Sequence, residues 1–555
     1  MSAHVWTEVT PIGDLLVRAA SRHPDRDAVV FPDDRYTYAE VLRRAMLVAR
    51  GLLSLGVRPR DHVGILCTNG IEFIEGLFGV ALAGAVAAPI NARYKVNELK
   101  YIASNADLVA ILTTGDADAY VDFPDVFVQA FPELSSSEAL GLDLESAPRL
   151  RNVILLSGSE RPGFISRERL LELAARVSEE DVHVARSRVR LRDIGLLLYT
   201  SGTTANPKGC LLSHEAVTRG PVERATIRFG LKVADVTWGA GPLFHIGSLS
   251  PFLGSIGAAG TYVTDAFFDA GRALDLLIRE KPTVMFPWFP AIMQALMNHE
   301  KWDPAKLSSV RSILLIGPRP LLDKVQAALP QVELVASCGM TETAGIYAVS
   351  DVSETVEQRA TGHGRPCSGI EARIVSLSDG SEVTDSTPGE ILLRGYCVME
   401  GYYRDPANTR KALDAEGWLH TGDLYSRTPD GRLMFHDRIK DMLKVGGENV
   451  APAEIETFLC THPSVVMASV VGIADARLDE VPVAFVELAA GNTLEAEFLI
   501  SFCRGQLASF KIPRRIHFVD TGTWPMSTTK IDKRQLRERA AKMHVEHISS
   551  ERGLT

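Results

Sequence analysis

The stretch Tyr199-Thr200-Ser201-Gly202-Thr203-Thr204-Ala205-Asn206-Pro207-Lys208-Gly209 follows an apolar run, Ile194 to Leu198, and precedes a second strand-like pair, Leu211 and Leu212. A strand, a hydroxyl-rich glycine turn and a lysine together have the composition of a phosphate cradle. Gly202 lets the backbone approach an anion closely. The N–H groups and the hydroxyls of Thr200, Ser201, Thr203 and Thr204 can donate to phosphate oxygens, and Lys208 adds a mobile positive charge. The spacing cannot be fitted to a Walker loop. The competing reading is a plain surface turn, and four hydroxyls beside a glycine and Pro-Lys-Gly argue against it.

Outward from this stretch, short apolar runs alternate with helical segments. His62–Cys67, Val86–Ile90, Leu108–Thr113, Val153–Leu156, Val236–Leu243, Thr283–Phe286, Ile313–Ile316 and Val332–Ala336 read as strands. Residues 10–56, 71–84 and 273–280 read as helices, while 248–260 is Gly- and Ala-rich. This pattern predicts an α/β fold layered around a mainly parallel sheet. Ligands of such sheets sit beyond the carboxyl ends of the strands. The Thr200 loop, Phe244-His245, Gly317-Pro318 and Cys338–Glu342 each follow a strand in this reading and converge on one cleft.

From about 370 to 403 the period changes to strands separated by turn residues, which predicts a small β-rich subdomain. After Asp437–Asn449 comes a compact α+β unit of about a hundred residues. The expected organisation is a large N-terminal domain over 1–437, with the β-rich subdomain at about 355–436. A small mobile C-terminal domain over 438–555 completes it, hinged near 438–441.

At 555 residues the chain exceeds a single core. Its net charge of −10 argues against non-specific nucleic-acid binding. Seven scattered cysteines form no C-x-x-C pair, which speaks against a zinc site and suits a reducing, cytoplasmic compartment. No signal peptide is expected in MSAHVWTEVT, and the apolar run Gly76–Ile90 is too short to span a bilayer.

Four further stretches carry chemistry. Cys338-Gly339-Met340-Thr341-Glu342-Thr343 offers a hydroxyl, backbone donors and a carboxylate suited to Mg2+, or else an ordinary helix start. Gly417-Trp418-Leu419-His420-Thr421-Gly422-Asp423 places a carboxylate between tight turns, where it can accept ribose hydroxyls or simply close a hairpin. Asp437 to Asn449 alternates charges before Gly446-Gly447, as a bending connector would. Pro525-Met526-Ser527-Thr528-Thr529-Lys530-Ile531 puts a lysine in a hydroxyl-rich loop.

These five stretches, in this order, together with Pro89–Arg93 and Phe510–Arg514, resemble the adenylate-forming superfamily of acyl-CoA synthetases, luciferases and peptide-synthetase adenylation domains. The resemblance covers essentially the whole chain. It implies that Thr200 to Lys208 wrap the phosphates of ATP, with Thr200 and Glu342 near Mg2+ and Thr341 at the α-phosphate. It implies further nucleotide contacts from Gly317, Ser337, Cys338 and Gly339, Asp423 on the ribose, and Arg438 on ribose or phosphate. Lys440 occupies the hinge position. Lys444, Gly446 and Gly447 line the path of coenzyme A. Lys530 bridges the carboxylate and the α-phosphate during adenylation. His245 sits between the acyl pocket and the thiol path. By the same resemblance the acyl pocket is lined by Phe244, His245, Ile246, Gly247, Leu249, Phe286, Trp288, Ile316, Gly317, Cys338 and Gly345.

The sequence departs from the family pattern in three places. Cys338 stands where a tyrosine usually packs on adenine, Pro318-Arg319 follows Gly317 where glycine is usual, and Thr529 replaces a glycine before Lys530. The implied function is an ATP-dependent carboxylic acid:CoA ligase acting on a hydrophobic fatty, aryl or alicyclic acid, through an acyl-adenylate with pyrophosphate release. The rival readings are an adenylating enzyme that loads a carrier protein and a non-catalytic nucleotide-binding homologue. The partners implied are the acid, ATP and coenzyme A, with homo-oligomerisation left open.

Overall fold

The apolar runs form strands, and helices that are apolar on more than one side fill the space between two sheets. The structure, a computed structural model, describes residues 8–115, 121–200, 207–317, 319–384, 386–446, 448–475, 477–504, 506–527 and 530–552; the side chains of Asn449, Ser527, Lys530 and 544–552 are outside that description.

One seven-stranded sheet runs, in spatial order, Glu333–Val335, Ser312–Leu315, Val284–Trp288, Val236–Gly239, Thr261–Val263, Asp27–Val30 and Arg35–Thr37. All its neighbours pair parallel except the last. A second seven-stranded sheet runs Gly401–Tyr402, Lys208–Ser213, Ile194–Thr200, Val86–Pro89, His62–Leu66, Leu108–Thr113 and Asn152–Leu155. Its interior is parallel, and the Lys208–Ser213 strand returns antiparallel beside Ile194–Thr200.

Helices Tyr38–Ser54, Ile71–Leu82 and Ile246–Gly257 contribute to one core cluster. Phe78 and Phe252 meet at 6.0 Å, and Phe252 meets Tyr262 at 5.3 Å. Each such ring contributes roughly 1.5–3 kcal/mol on burial. Gly79 lets two of these helices approach closely, since a Cβ there would lie 2.6 Å from Val48.

A four-stranded antiparallel sheet, Ile370–Val375, Gly389–Gly395, Leu419–Arg427 and Leu433–Arg438, forms the β-rich part. It has a small core of Val375, Leu392 and Trp418. The C-terminal sheet contains Val465–Asp475 and Asp479–Leu488, whose alternating residues feed two cores. Helices Pro452–Leu459 and Ala496–Cys503 cover one face, and Lys533–Arg552 supplies Leu536 and Ala540 to the other. Among the described residues, no helix is long and apolar enough to cross a membrane.

Several expected elements differ. Residues 10–56 are not all helical: Asp27–Val30 and Arg35–Thr37 are strands, because Ala28-Val29-Val30 buries against Tyr262 and Val263 in the sheet. The strand expected to reach Leu243 stops at Gly239, and the Gly-rich 248–260 segment is largely the helix Ile246–Gly257. Cys338–Met340 follows the strand Glu333–Val335 as expected, but it is itself part of a further strand, Ser337–Met340. Asp423 is likewise a strand residue opposite Arg438.

Candidate active site

Thr200 ends one strand and Lys208 begins the next, and the two face each other in register. The two strands form a hairpin; Ser201, Gly202, Thr203 and Thr204 lie outside the described residues. The edge strand Gly401–Tyr402 pairs with Leu211 and Cys210 and so brings Tyr402 beside this hairpin. Lys208 Nζ stands 5.0 Å from the Tyr402 ring centroid, within cation–π reach. The Tyr402 hydroxyl donates to Glu342 Oε1 at 2.8 Å. Burial first, and Glu342 second, push the Tyr402 phenol far up, so it stays protonated and donates. Glu342 sits on the tight turn Thr341–Thr343, and its carbonyl accepts Met399 N–H at 2.9 Å. Thus Lys208 and Glu342, chosen from two separate stretches, are joined through Tyr402, which no local sequence signal marked, and Thr200 pairs with Lys208 in the hairpin.

The residues fit Mg2+. Among the described residues no group of three or more His, Cys, Asp or Glu side chains could cage a metal. A single poised carboxylate is what Mg2+ requires when substrate phosphates and water complete its shell.

Next to the turn, Ser337 and Cys338 are buried. Gly339 is confined, since a Cβ there would lie 2.4 Å from Gly345 O. Burial pushes the Cys338 thiol up to about 12, opposed by bonds from Tyr347 and Tyr425. It is therefore a neutral packing thiol, not a nucleophile. Tyr425 and His363 Nδ1 share a hydrogen bond of 3.0 Å, and burial pulls His363 down to about 4. These rings surround the position where a tyrosine was expected and cysteine stands.

On the adjacent antiparallel pair, Arg438 Nε lies 3.4 Å from Asp423 Oδ1. Lys440, on the turn Ile439–Asp441, has its ammonium lowered by burial first and by Arg438 second. Just before it, the buried Asp437 carboxylate accepts Arg438 N–H at 2.7 Å and Ala453 N–H at 3.0 Å. It ties the end of the β-rich sheet to the first helix of the C-terminal unit. Lys444 is exposed and its N–H donates to Glu480 Oε2 at 2.9 Å. Gly446, at φ +61, donates to Leu478 O at 2.8 Å. Gly447 lies outside the described residues. Lys530 pairs through its backbone with Ser527 in a two-stranded hairpin.

The apolar end is built around Asn69, another residue without a sequence signal. Its buried amide donates to Gly241 O (3.1 Å), Thr264 Oγ1 (3.2 Å) and Asp265 O (3.1 Å), and accepts Leu243 N–H (2.7 Å). It thereby fixes the segment carrying Phe244 and His245. His245 caps the helix Ile246–Gly257, its Nδ1 accepting Gly247 N–H at 3.3 Å. Ile246, Leu249 and Phe286 are buried, Trp288 is half-buried and Ile316 is exposed. Gly345, at φ +100, lies over Ser250, 3.4 Å from where its Cβ would be. Gly317 lies against Pro290 and Leu321.

Comparison with known proteins identifies the family of the chain. Residues 16–403 match the AMP-binding enzyme family, and 454–529 match the AMP-binding enzyme C-terminal domain. The chain is 32% identical over 539 residues to "Putative acyl-CoA synthetase YngI" of Bacillus subtilis, covering 96% of this chain and 97% of that protein. It is 31% identical over 545 residues to the mitochondrial medium-chain acyl-CoA ligase of Mus musculus, covering 95% and 87%. Among solved structures, it is similar to the anthranilate CoA ligase AuaEII in complex with anthranoyl-AMP, with TM-score 0.84, 25% identity and coverage of 98% and 100%. The chain belongs to the AMP-binding enzyme family and is an AMP-forming acyl-CoA synthetase.

Proposed function

We propose that this chain joins a hydrophobic carboxylic acid to coenzyme A in two steps within one cleft. The acid's carboxylate attacks the α-phosphorus of ATP, giving acyl-AMP and pyrophosphate. The thiol of coenzyme A then displaces AMP from the acyl carbon. The observation that carries this reading is the junction of Lys208, Tyr402 and Glu342 beside the hairpin closing after Thr200.

Both reactants of the first step are anions, so their repulsion must be offset by fixed positive charge. Mg2+, held by Glu342 and Thr200, would supply charge neutralisation on the phosphates. Lys208 and the loop hydroxyls would bind the β- and γ-phosphates and release them as pyrophosphate. Thr341 would contact the α-phosphate, and Asp423 with Arg438 would hold the ribose. Lys530 would reach the carboxylate and α-phosphate from the smaller domain.

One cleft serving two reactions requires a rearrangement. We place the boundary at 437/438, with residues 438–555 turning about 438–441; Lys444, Gly446 and Gly447 would then face coenzyme A. Apolar Phe244, Ile246, Phe286 and Ile316 favour a hydrophobic acyl group. Seven unpaired cysteines support a reducing, cytoplasmic setting. The test is acid-dependent pyrophosphate release from ATP, followed by acyl-CoA formation with free coenzyme A. Pyrophosphate release without transfer to free coenzyme A would point to a carrier-loading enzyme, and no release would exclude the reading.

A further inference from the structure

The hairpin that ends in Thr200 and resumes at Lys208 reaches past the rest of its sheet. Its outgoing strand pairs with Val86–Pro89 at Ala87↔Leu196, and its return strand pairs with Gly401–Tyr402 at Cys210 and Leu211. Thr200 and Lys208 pair with each other and with no third strand among the described residues. A two-stranded ribbon is marginal by itself and needs packing against another element to hold one position.

Helix Val96–Asn105 supplies that element. Leu99, Ile102 and Ala103 are buried and seat it in an apolar cluster that also contains Leu197 of the outgoing strand. Tyr101 and Asn105 are four residues apart, on one face of the helix, and each takes one leg of the hairpin. The Tyr101 hydroxyl donates to Pro207 O at 3.1 Å, and the Tyr199 hydroxyl donates to Asn105 Oδ1 at 2.6 Å. The two rings meet edge to face, with centroids 6.4 Å apart.

Both bonds fall one residue from the proposed nucleotide site, since Tyr199 precedes Thr200 and Pro207 precedes Lys208. Pro207 has no N–H with which to tie the return leg to a neighbour; Tyr101 holds it by the carbonyl instead. On the outgoing leg, Tyr199 stands opposite Gly209. A Cβ at Gly209 would lie 3.1 Å from Tyr199 Cζ, so glycine leaves the room in which the phenol crosses to Asn105. Burial first, and the Tyr101 phenol second, push the Tyr199 hydroxyl far up, which keeps it a donor.

We propose that Tyr101 and Asn105 are positioning residues: they fix the free end of the hairpin so that Lys208 meets the β- and γ-phosphates of ATP. Helix Val96–Asn105 touches no substrate in this arrangement and acts through Pro207 and Tyr199. The inference rests on the reading of this hairpin as the phosphate cradle.

The experiment measures binding of ATP with Mg2+, and of AMP, to the full chain by calorimetry with no acid present. AMP lacks the two phosphates in question, so the ratio of the two affinities reports the cradle and not general damage. Tyr101→Phe keeps the ring and removes the donor. It should weaken ATP by about 3- to 10-fold and leave AMP within about 2-fold. Tyr199→Phe should act alike, and adding Asn105→Ala to it should cost ATP little more, because one bond joins that pair. Equal losses for ATP and AMP in folded Tyr101→Phe, or no loss, would overturn the inference; if that variant does not fold, Tyr199→Phe decides on the same ratio. Lys208→Ala separates the two levels of the argument. A lowered ratio there without one in Tyr101→Phe would overturn the inference and leave the cradle standing. No ATP binding by the wild type, or an unchanged ratio in Lys208→Ala, would sink the cradle reading and the inference with it.

Discussion

The residues proposed to meet the nucleotide and those proposed to meet the acyl group are built on opposite principles. The nucleotide wall consists of polar side chains on turns and strand ends: Lys208 over Tyr402, Tyr402 on Glu342, Asp423 beside Arg438. The proposed acyl wall consists of apolar residues, buried at Ile246, Leu249 and Phe286, with a positive-φ turn at Trp288; the nearby segments are fixed by buried polar side chains, Asn69 on Leu243 N–H and Arg224 on Ile346 O. Charge that must meet a fixed, universal ligand is displayed openly. Selectivity for a variable ligand is set by shape, which buried, bonded polar groups of this kind help to hold rigid.

The largest expected effect tests whether the nucleotide wall is only half of the catalytic site. Lys530→Ala should slow adenylation by roughly 10²–10³, as loss of one preorganised charge does. Thioester formation from preformed acyl-AMP should be far less affected. Equal damage to both half-reactions, measured separately, would remove Lys530 from its role.

On the acyl side, Asn69→Ala should destabilise the large domain by about 2–4 kcal/mol, because Leu243 N–H and its neighbours lose buried partners. Denaturant unfolding followed in that domain reads this directly. A loss below about 0.5 kcal/mol, the size of an ordinary surface change, would mean the segment before Phe244 holds itself.

Tyr402→Phe sharpens the contrast further. It keeps the ring under Lys208 and removes only the donor to Glu342. We expect kcat/KM to fall about 3- to 10-fold, with a higher Mg2+ requirement; an unchanged Mg2+ dependence would show that the hydroxyl does not position Glu342.

The smallest effect is one of pH. His214 and His363 are both pulled down to about 4 by burial. An unfolded histidine near 6.5 binds more protons than these do, so stability rises with pH across that interval. Their contribution is intact above about 6.5 and is lost as pH falls toward about 4. The thermal midpoint should drop over this range. His214→Asn, whose Oδ1 can take the place of Nδ1 and still accept Ile12 N–H, should flatten the curve; an identical slope would assign the loss to other groups.

Much of the architecture is legible in the sequence, because short continuous apolar runs between helical segments suit strands of a parallel sheet buried on both faces. The strands at Ile194–Thr200, His62–Leu66 and Leu108–Thr113 fall where the sequence places them. The strand Asp27–Val30 did not stand out, since its apolar residues merge with helical patterns on either side. The division of the strands between two seven-stranded sheets was equally hidden, because no single run records which partner it will pair with.

By itself the sequence determined the family, the α/β class and the chemical types held at Thr200, Glu342, Asp423 and Lys530, because these depend on local composition in fixed order. Only the tertiary structure decided that Tyr402 would orient Glu342, that Asn69 would anchor Phe244 and His245, and that Trp288 and Arg224 would border one apolar cluster. Those pairings join residues far apart in the chain, and proximity of that kind is set by packing, which no local window contains.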